Sequence, residues 1–504
     1  MKKLMLIATL ISLLLVSLAG CGASMDGVYE GGDNVQNMAP GAESPMEGGL
    51  PAQDADTPTF AENPFFATQE EAVSTFSADV DTASYTYFRK LVNSNYSFGE
   101  MVEKGSSFRT EEFLNYFKYQ ANAPQGGELF GVKAAIADCP WNPNTVLMSL
   151  TLQAEEAVPE GGNNLVFLID VSGSMSSSDK LPLLKKAFSY LVTQLTAEDR
   201  VSIVTYSGKE EVVLSGCPGN QGEKIMEAIN RLAANGSTNG EAGLQEAYRV
   251  AEENRIEGGN NRIIMASDGD LNVGISSDEE LKSFVEQKRE QGTYLSVLGF
   301  GIGNYRDSKM ETLADNGNGV YYYIDGESEA ERIFGSELFS TLYTVANDVK
   351  LQITFDPAYI ASYRLIGYEN RILDKEDFED DAKDAGEVGA GHQVTVCYEL
   401  TLTAKAAEAD EWMKLAVRYK RPGESESQLN EYGIGKAEVC EPDDEFRFQS
   451  AVILTAMVLH NSQYLNDIDL DNVLELLNSL DLSSAPDRSE FRDLVRELGT
   501  RVEA

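Results

Sequence analysis

The chain has 504 residues and carries 40 Lys+Arg against 82 Asp+Glu, a formal charge of −42. A surface that acidic repels phosphate backbones and anionic headgroups, which excludes nucleic-acid binding driven by overall charge. Hydrophobic residues make up 42%, an ordinary globular fraction, and at roughly 150 residues per domain the length accommodates two to four domains.

Residues 1–20 have the make-up of a secretory signal. Lys2 and Lys3 form a basic start, Leu4 to Val16 an apolar run, and Leu18-Ala19-Gly20 place small residues before Cys21. The run is shorter than the roughly 20 residues that a membrane span prefers. A cysteine at this point resembles the lipobox of bacterial lipoproteins, which implies that Cys21 is diacylated and becomes the first mature residue. Two acyl chains hold a protein stably on a bilayer. The expected location is therefore the extracytoplasmic side of the cell membrane, with the lipid as the only membrane contact. Residues 21–63 are rich in Gly, Ala, Pro, Met, Ser and acid, and no Lys or Arg occurs between Lys3 and Arg89. This composition predicts a lipidated, disordered stalk with a root-mean-square reach of roughly 35 Å.

Folded structure is expected from residue 64. Residues 64–162 read as an N-terminal domain, helical and then β, whose Val146, Met148, Leu150 and Leu152 alternate with their neighbours as in a half-buried strand. Residues 163–345 read as a doubly wound α/β domain. Leu165 to Ile169 is a continuous apolar run, as in a parallel strand buried on both faces. Leu181, Leu184, Phe188, Leu191 and Leu195 follow at helical steps of three and four. The alternation continues through strands at 201–206, 263–266, 295–300 and 320–324, with helices between them and a last helix near 329–345. Residues 346–442 return to period two, at Val349 to Phe355, Val394 to Leu402 and Met413 to Tyr419. Because such strands flank the α/β block, segments near 128–157 and 346–422 are expected to form one β-sandwich into which the α/β domain is inserted. Residues 443–504 are helical, with faces such as Phe491, Leu494, Val495 and Leu498. Cys139, Cys217, Cys397 and Cys440 show no metal-ligand rhythm, and their pairing is left open.

In doubly wound sheets ligands bind outside the carboxyl ends of the strands, where the winding reverses. The polar motifs fall at that edge: Asp170-Val171-Ser172-Gly173-Ser174 after the first strand, Gly236 to Gly240 opening a helix, and Ser267-Asp268-Gly269 after a later strand. Capping explains one Asp or Thr at a helix start, but not three such loops at one edge. Asp170, Ser172, Ser174, Thr238 and Asp268 offer hydroxyl and carboxylate oxygens, the ligands of a hard divalent cation such as Mg²⁺, with Mn²⁺ or Ca²⁺ as alternatives. Two acids alone leave such a cation electrophilic toward one further anionic ligand.

These residues resemble the von Willebrand factor A domain and its metal-ion-dependent adhesion site, over about 163–345, with D-x-S-x-S at Asp170, Ser172 and Ser174, the threonine at Thr238 and the aspartate at Asp268. The resemblance implies that the serines bind the metal directly, that the threonine does so in one state, that the aspartates often act through water, and that a partner's carboxylate completes the shell. The flanks resemble YfbK-like von Willebrand factor A lipoproteins, at Phe76 to Tyr85, Arg109 to Phe117, Tyr363 to Arg371 and Asp384 to His392.

Other signals carry less. Asp268, Asp270, Asn272 and Glu279 have EF-hand spacing, but Val273 stands where the loop wants glycine. Asp79-Val80-Asp81 is similar to the D-x-D of aspartate-dependent phosphatases, yet Ala83 lacks the needed hydroxyl, and the motif reads as structural. His392 and His460 lie far in sequence from the metal loops, which argues against a Ser-His-Asp triad. No nucleotide-binding glycine motif occurs. The expected function is an envelope-anchored, non-enzymatic binding protein whose cation engages an acidic group of a protein partner. A metal-assisted hydrolase and a scaffold with a purely structural metal are the alternatives.

Overall fold

The structure, a computed structural model, describes residues 61–156, 161–236, 240–269, 278–301 and 307–501. Strands β1 (Phe66–Ala67) and β2 (Val73–Ser77) come first, followed by helices α1 (Ala83–Asn93), α2 (Phe98–Glu103) and α3 (Thr110–Tyr116) and strands β3 (Phe130–Asp138) and β4 (Val146–Ala154). The α/β block contains β5 (Asn163–Asp170), α4 (Leu181–Leu191), β6 (Arg200–Tyr206), β7 (Glu210–Pro218), α5 (Gly222–Arg231), α6 (Gly240–Glu253), β8 (Asn260–Ser267), α7 (Asp278–Glu290), β9 (Tyr294–Phe300), α8 (Asp307–Asn316), β10 (Tyr321–Ile324), α9 (Glu327–Glu331) and α10 (Leu338–Leu342). The chain ends in β11 (Thr344–Phe355), β12 (Ile360–Ile366), β13 (Gly386–Gly389), β14 (Gln393–Leu402), β15 (Glu411–Lys420), β16 (Gln428–Gly435), α11 (Asp444–Leu459), α12 (Leu470–Asn478) and α13 (Pro486–Gly499).

The α/β sheet has the order β10-β9-β8-β5-β6-β7, parallel throughout except for the antiparallel edge strand β7. The period-two geometry of β5 sends alternate side chains to opposite helix layers. Leu165, Phe167 and Ile169 join the core that contains α4, where the Phe167 and Phe188 rings lie 4.4 Å apart, whereas Val166 and Leu168 join the core that contains Leu244 and Ala247 of α6. Burial on both faces is what the unbroken apolar run demands.

Two antiparallel sheets flank this block. One has the order β1-β12-β14-β4-β3; the other is β13-β11-β15-β16, with β2 also paired to β11. Each sheet mixes strands from before and after the α/β block. Their inner faces meet through Phe355 and Tyr398 (rings 5.6 Å apart), Phe130 and Tyr419 (5.4 Å), and a 2.8 Å hydrogen bond from the Tyr398 hydroxyl to Ser74 Oγ. The outer face of the first sheet is covered too. Leu147 and Cys397 share a core with α1, α3 and α11, in which the Phe117 and Phe448 rings lie 4.9 Å apart.

The structure departs from the sequence reading at several points. The strands β4 and β14 are buried on both faces rather than half-buried, because the helical layer covers them. Two strands precede the helices of the N-terminal segment. The helix read near 329–345 is broken by a wider π-type turn at Arg332–Ser336 and ends at Leu342, so residue 345 already belongs to β11. Strands β7, β13 and β16 lacked a clear signal; β7 and β16 are edge strands with mostly exposed or half-exposed residues, so their alternation is weak. Cys139, Cys217, Cys397 and Cys440 are free thiols; the first three are buried and Cys440 is exposed. Cys21 and, of the residues with EF-hand spacing, Asp270, Asn272 and Val273 lie outside the described residues.

A buried ion pair fixes the outer face of the first sheet. Glu399 accepts hydrogen bonds from Arg364 (2.9 Å), Asn142 (2.7 Å), Thr145 (2.8 Å) and Trp141 (3.1 Å), and both charged side chains are almost fully buried. Removing one member leaves the other charge buried and uncompensated. Glu399→Ala is therefore expected to lower the unfolding free energy by about 3–5 kcal/mol in urea denaturation, with much of the loss recovered when Arg364→Met is added.

Candidate metal-binding site

Strands β5 and β8 are adjacent and parallel, and the chain winds outward from them in opposite directions. Asp170 is the last residue of β5 and Asp268 follows the end of β8, so the two carboxylates leave the sheet side by side at the switch point. Asp170 is fully buried and Asp268 is 4% exposed. Residues Asp170 to Ser174 form a tight loop: the Ser172 amide donates to Asp170 Oδ1 at 2.8 Å, and the Ser172 and Ser174 hydroxyls lie 2.9 Å apart. The Gly173 amide donates to the Gly236 carbonyl at 3.1 Å and the Asn235 amide to the Val171 carbonyl at 2.7 Å, which brings the third loop alongside. Thr238 lies outside the described residues.

The structure thus brings together Asp170, Ser172, Ser174 and Asp268. One atom is left over. Asp170 Oδ2 is buried and accepts no hydrogen bond, an arrangement that costs free energy unless another group meets it. Burial, with a smaller contribution from the Asp268 charge, pushes the Asp170 carboxyl up to about 6. The donor set of two carboxylates and converging hydroxyls, with an orphaned carboxylate oxygen among them, fits a hard divalent cation.

Sequence reasoning missed Lys180. Its ammonium donates to Asp268 Oδ2 at 2.8 Å and to the Ser174 carbonyl at 3.1 Å. Its stem passes over Gly301, where a Cβ would stand 2.1 Å from Lys180 Cε. Gly301 also has φ +79, in the region that favours glycine. No motif marks a single lysine before a helix, so only the fold reveals this contact.

A family profile described as von Willebrand factor type A domain matches residues 164–336, one described as von Willebrand factor matches 52–149, and one described as the C-terminal part of the uncharacterized protein YfbK matches 340–500. Asp170, Ser172, Ser174 and Asp268 accordingly sit at the strand ends of a von Willebrand factor type A domain. YfbK of Escherichia coli is 39% identical over 436 residues, covering 81% of this chain and 74% of that protein. The chain belongs to the YfbK family of von Willebrand factor type A proteins. Human inter-alpha-trypsin inhibitor heavy chain H3 is 29% identical over 187 residues, 35% of this chain and 21% of that one. Among solved structures, a von Willebrand factor type A protein from Catenulispora acidiphila is similar over 76% of this chain and 89% of its own, at 18% identity and a TM-score of 0.41. Proximal thread matrix protein 1 from the mussel byssus, described with a zinc-occupied MIDAS motif, covers 37% of this chain and 46% of its own, at 20% identity and a TM-score of 0.30.

The raised Asp170 carboxyl has a consequence for stability. In the fold the group keeps its proton up to about 6, against an ordinary value of 3.8, so the native state binds more protons than the unfolded chain between these values. Its contribution therefore turns against the fold as pH rises through that window and stays unfavourable above it. In chelator, the stability of wild type relative to Asp170→Asn is expected to fall as pH rises from about 4 to 6, measured by thermal unfolding. A pH-independent difference would remove this assignment.

Proposed function

We propose that the protein is a binding module, not an enzyme, in which Asp170, Ser172, Ser174, Thr238 and Asp268 hold a divalent cation that engages an acidic group of a protein partner. The observation that carries this reading is the buried, unpartnered Oδ2 of Asp170 beside two converging serine hydroxyls. Membership of the von Willebrand factor type A family supports it. Mg²⁺ suits the oxygen donors, and Mn²⁺ or Ca²⁺ would be accommodated by the same set. When bound, the cation supplies a local positive centre on a chain of net charge −42, where a carboxylate otherwise meets repulsion.

The residues divide the work. Asp170 supplies the buried charge that attracts the cation, and the Ser172 amide fixes its Oδ1. Ser172 and Ser174 present neutral oxygens, so only Asp170 and Asp268 offset the cation's charge and it stays electrophilic toward one further anionic ligand. Lys180 holds Asp268 and adds a second positive charge at the rim. A hydrolase would need a general base, and both histidines are engaged elsewhere. His392 Nδ1 accepts the Gly389 amide at 3.2 Å, and His460 Nε2 contacts the Phe108 carbonyl. Burial pushes both imidazoles below their ordinary value. We further propose export through residues 1–20 and anchoring through lipid on Cys21, which would display the site outside the membrane.

Retention of envelope proteins on the immobilised protein is expected in Mg²⁺ and not in EDTA or with Asp170→Ala. Retention indifferent to all three conditions would overturn the cation-mediated reading in favour of a scaffold. Turnover of ester, phosphoester or peptide substrates, lost on Ser172→Ala, would favour the hydrolase. Because the Lys180 ammonium opposes a second cation at close range, Lys180→Met is expected to tighten Mg²⁺ binding several-fold in calorimetric titration.

A further inference from the structure

A second acidic cluster lies away from the adhesion site. Asp79 and Asp81 follow β2, Glu112 lies in α3, and carboxylate oxygens of the three lie within 4.8 Å of one another. All three side chains are buried, Asp79 at 4% exposure, Asp81 at 3% and Glu112 at 0%. Glu311 and Asp315 of α8 adjoin them through Arg371, whose guanidinium reaches Asp315 at 2.8 Å, Glu311 at 3.2 Å and Asp79 at 3.4 Å. Arg109 pairs with Glu112 at 2.5 Å and also with Glu311. Five carboxylates thus share two guanidinium groups.

Local hydrogen bonds hold the cluster in shape and leave one oxygen over. Asp79 Oδ1 accepts the Asp81 amide at 3.0 Å, Asp81 Oδ1 accepts the Tyr321 amide at 2.9 Å, and Glu112 Oε2 accepts the Ser84 amide at 2.6 Å. Asp79 Oδ2 is shut off from solvent and accepts no hydrogen bond. Burial, then the neighbouring Asp79, holds the Asp81 carboxyl well above the usual carboxylate range, as expected where negative charge outweighs its compensation. Oxygens around one Ca²⁺ at roughly 2.4 Å lie no more than about 4.8 Å apart, and those of the triad fall inside that limit.

We propose that Asp79, Asp81 and Glu112 form a second divalent-cation site, selective for Ca²⁺, which joins the N-terminal segment to the base of the α/β sheet. Ca²⁺ suits it because several carboxylates and a variable number of waters make up its shell. Asp79 and Asp81 line a cleft of about 400 Å³, together with Asp315, Arg371 and Glu387. Lys282 and Lys383 at its wall are paired to Glu286 (3.9 Å) and Asp377 (2.8 Å). The site lies beside Tyr321, at the start of β10, whereas Asp170 and Asp268 stand at the opposite, carboxyl ends of the strands.

The test separates the two sites by stoichiometry. After chelator treatment, native mass spectrometry in Ca²⁺ is expected to count one ion on Asp170→Ala, whose second cluster is intact, and none when Asp79→Asn is added. Ca²⁺ is expected to raise the melting temperature of Asp170→Ala and not of the double variant. Glu112→Gln serves as the second variant if Asp79→Asn does not fold. A folded Asp170→Ala protein that binds no Ca²⁺ overturns the proposal, as does an ion retained by either folded cluster variant.

Discussion

The candidate site depends on one constraint: a carboxylate stands at the end of a strand that is buried on both faces. Apolar residues from Leu165 to Ile169 hold β5 in the middle of the sheet, and the strand delivers Asp170 to its edge with no exposure to solvent. An ionised carboxylate in such a place is unfavourable unless hydrogen bonds or an opposite charge meet it. The Ser172 amide meets one oxygen, and the other is shut off from solvent and accepts no well-formed hydrogen bond, with the Tyr206 hydroxyl close by. The same strand that organises the core therefore also creates the demand for a cation.

The flanking sandwich meets the opposite, amino end of that sheet, where Asn163 of β5 donates to the Tyr343 hydroxyl at 2.7 Å and Asn260 of β8 to the Leu342 carbonyl at 2.9 Å. Its two sheets each combine strands from both sides of the α/β block, so β4 and β11 carry the chain out of the sandwich and back into it. Buried ion pairs join the layers further. Arg89 in α1 binds Asp325 and Glu329 at 2.6 and 2.8 Å, which fixes the helical layer to the segment after β10.

Much of this was legible in the sequence because the signals are local. The apolar run at Leu165 to Ile169, the three-and-four spacing of Leu181 to Leu191, and D-x-S-x-S all act over a few residues. The flanking period-two runs located β4, β11, β14 and β15. Edge strands β7 and β16 escaped notice because edge positions are solvated and alternate weakly. Burial on both faces of β14 escaped notice because the covering helix α3 lies far away in sequence. The partners of the D-x-D motif were hidden for the same reason: Asp79 meets Arg371 and neighbours Glu112 only once the chain is folded. Lys180 is a lone lysine in sequence, and its contact with Asp268 is a property of the switch point.

Anomalous diffraction from crystals grown in Mn²⁺ shows whether Asp170, Ser172, Ser174 and Asp268 hold a cation. An anomalous peak is expected in contact with the Ser172 and Ser174 hydroxyls, within reach of the Asp170 and Asp268 carboxylates, and absent in Asp170→Ala crystals. Ordered wild-type loops with no peak at that position would contradict cation binding there.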